Sequence, residues 1–520
     1  MAKAAKYGVG EQSFRVLREG GFLYIDKTQY IEKIINESQY YFLGRPRRFG
    51  KSLFLSTLKF FFEGRRDLFK GLHADTIDWD WAPHPVLHIS LNMWDYSKPG
   101  VLDVALNAHL VKWEQEYKPS YIASDVSSRF SNIIEQAYKQ TGKGVVILVD
   151  EYDNPLVDNL NNPQLFEYYR RQLSAIYSNF KSSADYIRLV FLTGVSRFGK
   201  ISVFSGLNNI KDISFRNDYA AICGITQQEL VDNFQYGIRQ YAESEQISEE
   251  EVLYDLKRWY DGYHFSPNCP DIYNPFSLLN SMDEKRLSSY WMTSGGVPTI
   301  LWEGMKKGNC YNLEALLSSQ VNETQLLGID MDSDDPLPLL YQTGYLTIKD
   351  YDKSSMLYTL GLPNSEVKKG FLEYLLPKFS SINKNRVPFE ISLFVKDVNS
   401  GNAEGFMQRL QTLFAGYSYE MRLENENNLH NVIFMLMLLM GINVQTEYKT
   451  SDGRIDLLIT TDKYRYIIEL KIDSTPEEAL RQINDKQYAL SFDVGHKTVI
   501  KIGANFSNAE RRFSGWIISM

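Results

Sequence analysis

Residues 40–58 read YYFLGRPRRFGKSLFLSTL: an apolar run, a basic turn with two glycines, and a second apolar stretch. The run predicts a buried strand and the stretch after Gly50 a helix. A glycine turn between strand and helix aims backbone N–H groups and the positive helix end into one space, which suits phosphate. Lys51 is placed to reach β- and γ-phosphates, and the Ser52 hydroxyl to hold magnesium. Gly50 allows close backbone approach, and Gly44 and Arg48 belong to the same turn. The spacing departs from the common G-x4-G-K-[ST] form, because Gly44 stands one residue early and Arg45 takes its expected place. Arg45, Arg47 and Arg48 either face phosphate or are solvated or paired with acids.

A hydrolytic site needs acids opposite that turn. The stretch VVILVDEYD, from Val145, is an apolar strand ending in carboxylates: Asp150 suits the magnesium shell, and Glu151 suits polarising an attacking water. A third apolar strand, LVFLTGVSRF, ends in Thr193, Ser196 and Arg197. Thr193 and Ser196 both qualify to sense a γ-phosphate, and the sequence does not choose between them; Arg197 offers charge to a transition state or is a plain surface arginine.

A different chemistry is written near the C-terminus. GRIDLLITTDKYRYIIELKID predicts two strands around a short polar turn. A hairpin centred between Asp462 and Lys463 sets Asp456 opposite Glu469, and Lys471, two residues on, shares that face. Two carboxylates and a lysine at one point suit magnesium-dependent phosphodiester cleavage, with the acids holding metal and the lysine orienting the nucleophile. The alternative is a solvated polar face. Upstream, Glu426 is a further candidate metal ligand, with His430 four residues on along the same helix. Downstream, Gln482, Lys486 and Tyr488 on PEEALRQINDKQYAL are candidates for positioning a nucleic-acid backbone.

The elements that position these groups form an α/β chain of 520 residues, long enough for several domains. Residues 1–225 alternate buried strands and helices, which predicts a parallel sheet covered on both faces. Residues 226–390 read as mainly helical. There LPLLYQTGYLTIKDYDKSSMLYTLGLPNSEVKKGFLEYLL predicts helix, two short strands and helix, an order compatible with a winged helix. Residues 391–520 read as a separate α/β domain. Net charge is -8, so no global basic field announces nucleic acid, although a local groove remains compatible with it. Cys223, Cys269 and Cys310 are far apart and form no metal-ligand spacing, which fits a reduced, cytoplasmic setting. The longest apolar run, Val432–Met440, is far short of the roughly 20 residues of a membrane span.

RPRRFGKS with VVILVDEYD, WYDGYHF, YQTGYLTI and LGLPNSEV resembles the bacterial AAA-ATPase-like family, over essentially the whole chain from about Phe14. The resemblance implies a C-terminal PD-(D/E)xK nuclease-like domain of restriction-endonuclease-like fold. Asp456 and Glu469-Leu470-Lys471 match its D…ExK core, and Gln482 and Tyr488 look like its Q…Y element. The expectation is an ATP- and magnesium-dependent enzyme whose nucleotide state gates DNA cleavage. The alternative is an ATP-dependent switch or scaffold whose C-terminal domain only binds nucleic acid or protein. GTP ranks lower, since no N/T-K-x-D base-reading motif stands in a suitable position. A homo-oligomer sharing an arginine between subunits is compatible with the family.

Overall fold

The computed structural model describes residues 6–520 except 93, 122, 198–208, 295–312, 329–334, 379–385, 416–432, 439–440, 442, 451–452, 487–496, 508 and 511. Two compact units emerge: Met1–Gly295 with Gln320–Glu366, and Gly296–Ser319 with Val367–Met520. The region expected as a middle domain is thus shared between them.

The first unit is built on five strands, β1 (Tyr40–Gly44), β2 (Val86–Ser90), β3 (Val145–Asp150), β4 (Ile187–Gly194) and β5 (Lys211–Asp212). Their order is β2-β3-β4-β1-β5, and every neighbouring pair is parallel. The all-apolar VVILV of β3 is buried along its whole length, as both-face coverage demands. Successive side chains of a strand point to opposite faces. Accordingly, the Tyr40 hydroxyl donates to Phe180 O in helix Pro163–Ser182, whereas that of Tyr41 donates to Ile34 O in helix Gln29–Glu37. Tyr41 also stacks on Phe191, which meets Phe54 of helix Lys51–Phe62. That helix ends in an aromatic nest: Phe61, fully buried, lies 5.2 Å from the Trp79 ring and 5.0 Å from that of Trp81.

Beyond the sheet, β6 (Ile225–Thr226) pairs with β7 (Ile272–Tyr273). The helices around them bury a core that includes Leu230, Phe234, Leu256, Leu278 and Met282. The expected helix–strand–strand–helix order appears as helix Leu337–Thr343, β9 (Thr347–Asp352), β10 (Leu357–Gly361) and helix Ser365–Leu375. The edge strand β8 (Gln320–Val321) pairs with β10.

The second unit carries β11 (Asn443–Thr450), β12 (Gly453–Thr460), β13 (Tyr464–Ile472), β14 (Thr498–Ser507) and β15 (Arg512–Ser519), in that spatial order. Only β13 and β14 run parallel, so the chain must cross over between them, and helix Pro476–Asp485 lies in that crossover. The other flank is held by helices Val387–Ser400 and Ala403–Ala415, with Phe406 near Tyr466 and Phe414 clustered with Phe506 and Phe513.

Truncating the ring at the centre of the first unit's aromatic nest leaves a cavity that rigid neighbours cannot fill. Phe61→Ala is expected to cost about 3–5 kcal/mol, read as a lower midpoint for urea unfolding.

Candidate functional site

The parallel order places β4 between β1 and β3, so three strand ends lie side by side, with Leu43 level with Thr193 and Val149 with Leu192. Ligands of open parallel sheets bind outside such carboxyl ends. After β1 the chain turns through residues 45–50 into helix Lys51–Phe62, whose N-cap is Gly50 at φ 98° with no side-chain cap. A Cβ at Gly50 would meet nothing within 4 Å, so open space faces the turn. The Lys51 side chain is only 5% exposed, and its ammonium donates to Arg45 O at 2.9 Å and Pro46 O at 3.0 Å. Burial depresses its pKa, and the carboxylates of Glu151, Asp150 and Asp153 oppose that shift.

Above the turn lies a cavity of about 470 Å³. Its floor is Arg47 to Ser52, Glu151 and Asn154 line it, and the apolar walls include Leu17, Leu23, Ile25, Phe234, Phe276 and Leu279. Glu151 occupies the left-handed region at φ 54°, a strained backbone for a non-glycine residue, and its Oε2 accepts from Asn154 Nδ2 at 2.8 Å. Asp150 is buried, and its Oδ1 accepts from Thr193 Oγ1 at 2.6 Å. Arg48 lines the cavity, with its guanidinium 5.0 Å from the Phe276 ring.

Other expected residues lie elsewhere. Gly44 does not line the cavity; its N–H donates to Ser214 Oγ. Arg45 is buried, donates to the carbonyls of Gly44, Ser214, Tyr219 and Ala220, and stacks 4.3 Å from the Phe265 ring. It anchors the turn and does not line the cavity, which is how the turn tolerates the displaced glycine. Arg197 pairs with Asp212 at 3.0 Å and lies off the cavity. Of the two sensor candidates, Thr193 meets Asp150, whereas Ser196 is buried with its N–H donating to Asp153 Oδ2.

Sequence reasoning passed over Asp153, the third acid of VVILVDEYD. Fully buried, it accepts from Val195 N at 3.0 Å and Ser196 N at 2.6 Å, tying the loop after β3 to the end of β4. Gly194 is required beside it, since a Cβ there would lie 2.6 Å from Asp153 Oδ1. Burial raises the Asp153 pKa to about 6. Lys27 was also missed: it lines the cavity and donates to Glu229 at 2.6 Å, the same carboxylate that caps helix Gln227–Asn233.

In the second unit, β12 and β13 pair with Leu457 opposite Ile468, and one further step of that register sets Asp456 opposite Glu469, as the hairpin centring predicts. Both carboxylates are buried. Asp456 Oδ2 accepts from Leu470 N at 2.8 Å, and Glu469 Oε1 pairs with Lys471 Nζ at 3.0 Å. Beside Glu469 in β14 is Gly503, where a Cβ would lie 2.4 Å from Leu480 N. Only glycine lets helix Pro476–Asp485 come this close to the sheet. Gln482 is half-buried on that helix, and Lys486, at its C-cap, is exposed. Glu426, His430 and Tyr488 lie outside the described residues. Among the described residues no group of three or more His, Cys, Asp or Glu is arranged to hold a metal. Two buried carboxylates against one ammonium nevertheless fit a magnesium ion, which takes one or two protein carboxylates and fills its shell from water and phosphate.

Both architectures have counterparts in known families. The family described as a predicted AAA-ATPase, AAA-ATPase-like, matches residues 8–204. The PD-(D/E)XK nuclease superfamily matches residues 424–516. A protein of Azotobacter chroococcum mcd 1, described as an uncharacterized protein in the vnfD 5' region, is 32% identical over 528 residues, covering 99% of this chain and 98% of its own length. The chain belongs to the AAA-ATPase-like family with a C-terminal PD-(D/E)XK nuclease superfamily domain. The family's ATPase match spans the turn, β3 and the end of β4, and its nuclease match spans β12 and β13. Among the described residues no helix is long and apolar enough to cross a membrane.

Asp153 supplies a pH test. Its folded pKa lies above the ordinary carboxylate value, so ionising it costs folding free energy. That cost is absent below about pH 4 and complete above about pH 6. Asp153→Asn keeps an acceptor for the two N–H groups and removes the charge. The variant is expected to gain roughly 3 kcal/mol relative to the parent at pH 8 and nothing at pH 4, measured by urea unfolding at both pH values.

Proposed function

We propose that the chain binds ATP with magnesium in the cavity above residues 47–52, hydrolyses it, and uses nucleotide state to gate a magnesium-dependent nuclease acting on DNA. The observation that carries this reading is the convergence, in one cavity, of an uncapped helix N-terminus, the Lys51 turn and the Glu151 carboxylate. The apolar walls suit a base and the floor suits phosphates. On triphosphate entry, the Lys51 ammonium exchanges the carbonyls of Arg45 and Pro46 for phosphate oxygens. Glu151 orients and polarises the attacking water, and Thr193 keeps Asp150 in place. Ser52 and Asp150 would hold magnesium, which supplies charge neutralisation at the phosphates when bound.

In the nuclease domain Asp456 and Glu469 would hold a magnesium ion, whose charge lowers the pKa of bound water and steadies the leaving oxygen. Lys471 orients the nucleophile, and Leu470 N fixes the Asp456 carboxylate. Gln482 and Lys486 contact the DNA backbone from their helix. Gating is supported by the presence of both constellations in one chain, and a reduced, cytoplasmic setting by the wide separation of Cys223, Cys269 and Cys310.

Lys51→Ala is expected to weaken ATP binding at least about tenfold, seen by calorimetry, because a charged phosphate contact is lost. Glu151→Gln should retain binding while hydrolysis falls about 10²-fold or more. Asp456→Ala should abolish magnesium-dependent cleavage of DNA. Parent-like cleavage by that variant would show that the nuclease reading is wrong. Cleavage by Lys51→Ala that matches the parent with and without ATP would show that gating is wrong.

A further inference from the structure

Four carbonyls of the turn after β1 are held by donors. Those of Arg45 and Pro46 accept from Lys51 Nζ. That of Phe49 accepts from Gly224 N at 3.0 Å. That of Arg47 accepts from the indole Nε1 of Trp291 at 3.1 Å. In a trans peptide the C=O of one residue and the N–H of the next point in opposite directions. Holding Arg47 O therefore aims the Arg48 N–H away from Trp291, and holding Phe49 O aims the Gly50 N–H away from Gly224 N. Arg48 and Gly50 both line the cavity, at φ 69° and 98°. Successive N–H groups turned to one side by left-handed residues make an anion-binding concavity.

Trp291 is itself held. Its side chain is fully buried, with its ring 5.2 Å from that of Tyr345. Its backbone N–H donates to Glu366 Oε1 at 2.7 Å. Glu366 is the acid of LGLPNSEV and takes no part in either acid constellation described above. It is fully buried, and its second oxygen, Oε2, has no hydrogen-bond partner. Taking a carboxylate out of water with one oxygen unpaired is costly, so packing alone does not account for an acid at this position. Glu366, Trp291 and Arg47 all belong to the first unit.

We propose that Trp291 and Glu366 are positioning residues for a triphosphate. Glu366 fixes Trp291, and the indole of Trp291 holds the Arg47 carbonyl so that the Arg48 N–H faces the phosphates. The proposal rests on the nucleotide reading above. It gives the donors on the turn separate work. Lys51 gives up the carbonyls of Arg45 and Pro46 when phosphate enters, so it does not hold the turn in the bound state. Trp291 does not line the cavity, so it keeps Arg47 O while Lys51 moves. Gly344 closes the same side of the turn, packed so near Pro46 that a Cβ there would lie 2.8 Å from the proline Cβ.

The test uses the full chain and two probes, MgATP and inorganic tripolyphosphate. Affinities come from calorimetry, and each variant's fold is checked by its urea midpoint. Trp291→Phe keeps a buried ring and removes the donor. Both probes should bind it about fivefold more weakly, the worth of one neutral hydrogen bond. Glu366→Ala should lose as much. Glu366→Gln retains an acceptor for Trp291 N and should bind within about twofold of the parent. The double variant Trp291→Phe, Glu366→Ala should be no weaker than either single one, because both act through one hydrogen bond. Losses that multiply, about 25-fold in the double variant, overturn the coupling of the two residues. Parent-like binding by folded Trp291→Phe overturns the proposal. Where Trp291→Phe does not fold, equal affinity of Glu366→Ala and Glu366→Gln overturns it. A parent that binds tripolyphosphate and not MgATP overturns the nucleotide reading, and the variants then judge the positioning role with tripolyphosphate. A parent that binds neither probe overturns both.

Discussion

An ammonium group removed from water must be surrounded by oxygen, and Lys51 meets that demand by folding back on the turn that precedes it. The two carbonyls it takes, those of Arg45 and Pro46, are held in place because Arg45 is itself buried and spends its guanidinium on four other carbonyls. One buried cation therefore shapes the turn and a second pins it. Gly50 can then take a left-handed backbone and leave the helix N-terminus facing an open cavity. The acids around it complete the balance, with Glu151 on the cavity wall and Asp150 and Asp153 buried behind.

The two buried acids do different work. Asp150 is met by Thr193 from the neighbouring strand, which holds its carboxylate at the sheet's carboxyl end. Asp153 accepts the two N–H groups that follow Gly194, so hydrogen bonds tie the loop after β3 to the end of β4. The aromatic contacts of Phe49 with Tyr263 and Phe265 extend the packing to the bridged loop in which His264 pairs with Asp271.

The nuclease superfamily domain solves a similar problem with a sheet. Two carboxylates buried on neighbouring strands repel each other unless their charge is balanced. Lys471 supplies one positive charge and Leu470 N one hydrogen bond. Gly503 brings the crossover helix close to the sheet beside Glu469, which limits water there.

Much of this was legible along the chain. The strand–turn–helix at Gly50-Lys51-Ser52, the acid-ended β3 and the pairing of Asp456 with Glu469 follow from local periodicity, because a two-residue side-chain repeat and a short turn determine which residues share a face. Which basic residue serves the turn was not legible. Arg45, Arg48 and Arg197 look alike in sequence, and only packing buries the first, brings the second to the cavity and pairs the third with Asp212. That Thr193, one of the two residues offered as a γ-phosphate sensor, meets Asp150 while Ser196 meets Asp153 likewise depends on the order β3-β4-β1, a long-range pairing that no local pattern encodes. The role of Asp153, the Lys27–Glu229 pair and the His264–Asp271 pair came from contacts closed by tertiary structure, for the same reason: burial and hydrogen bonds across the fold, not spacing, decide which polar groups meet.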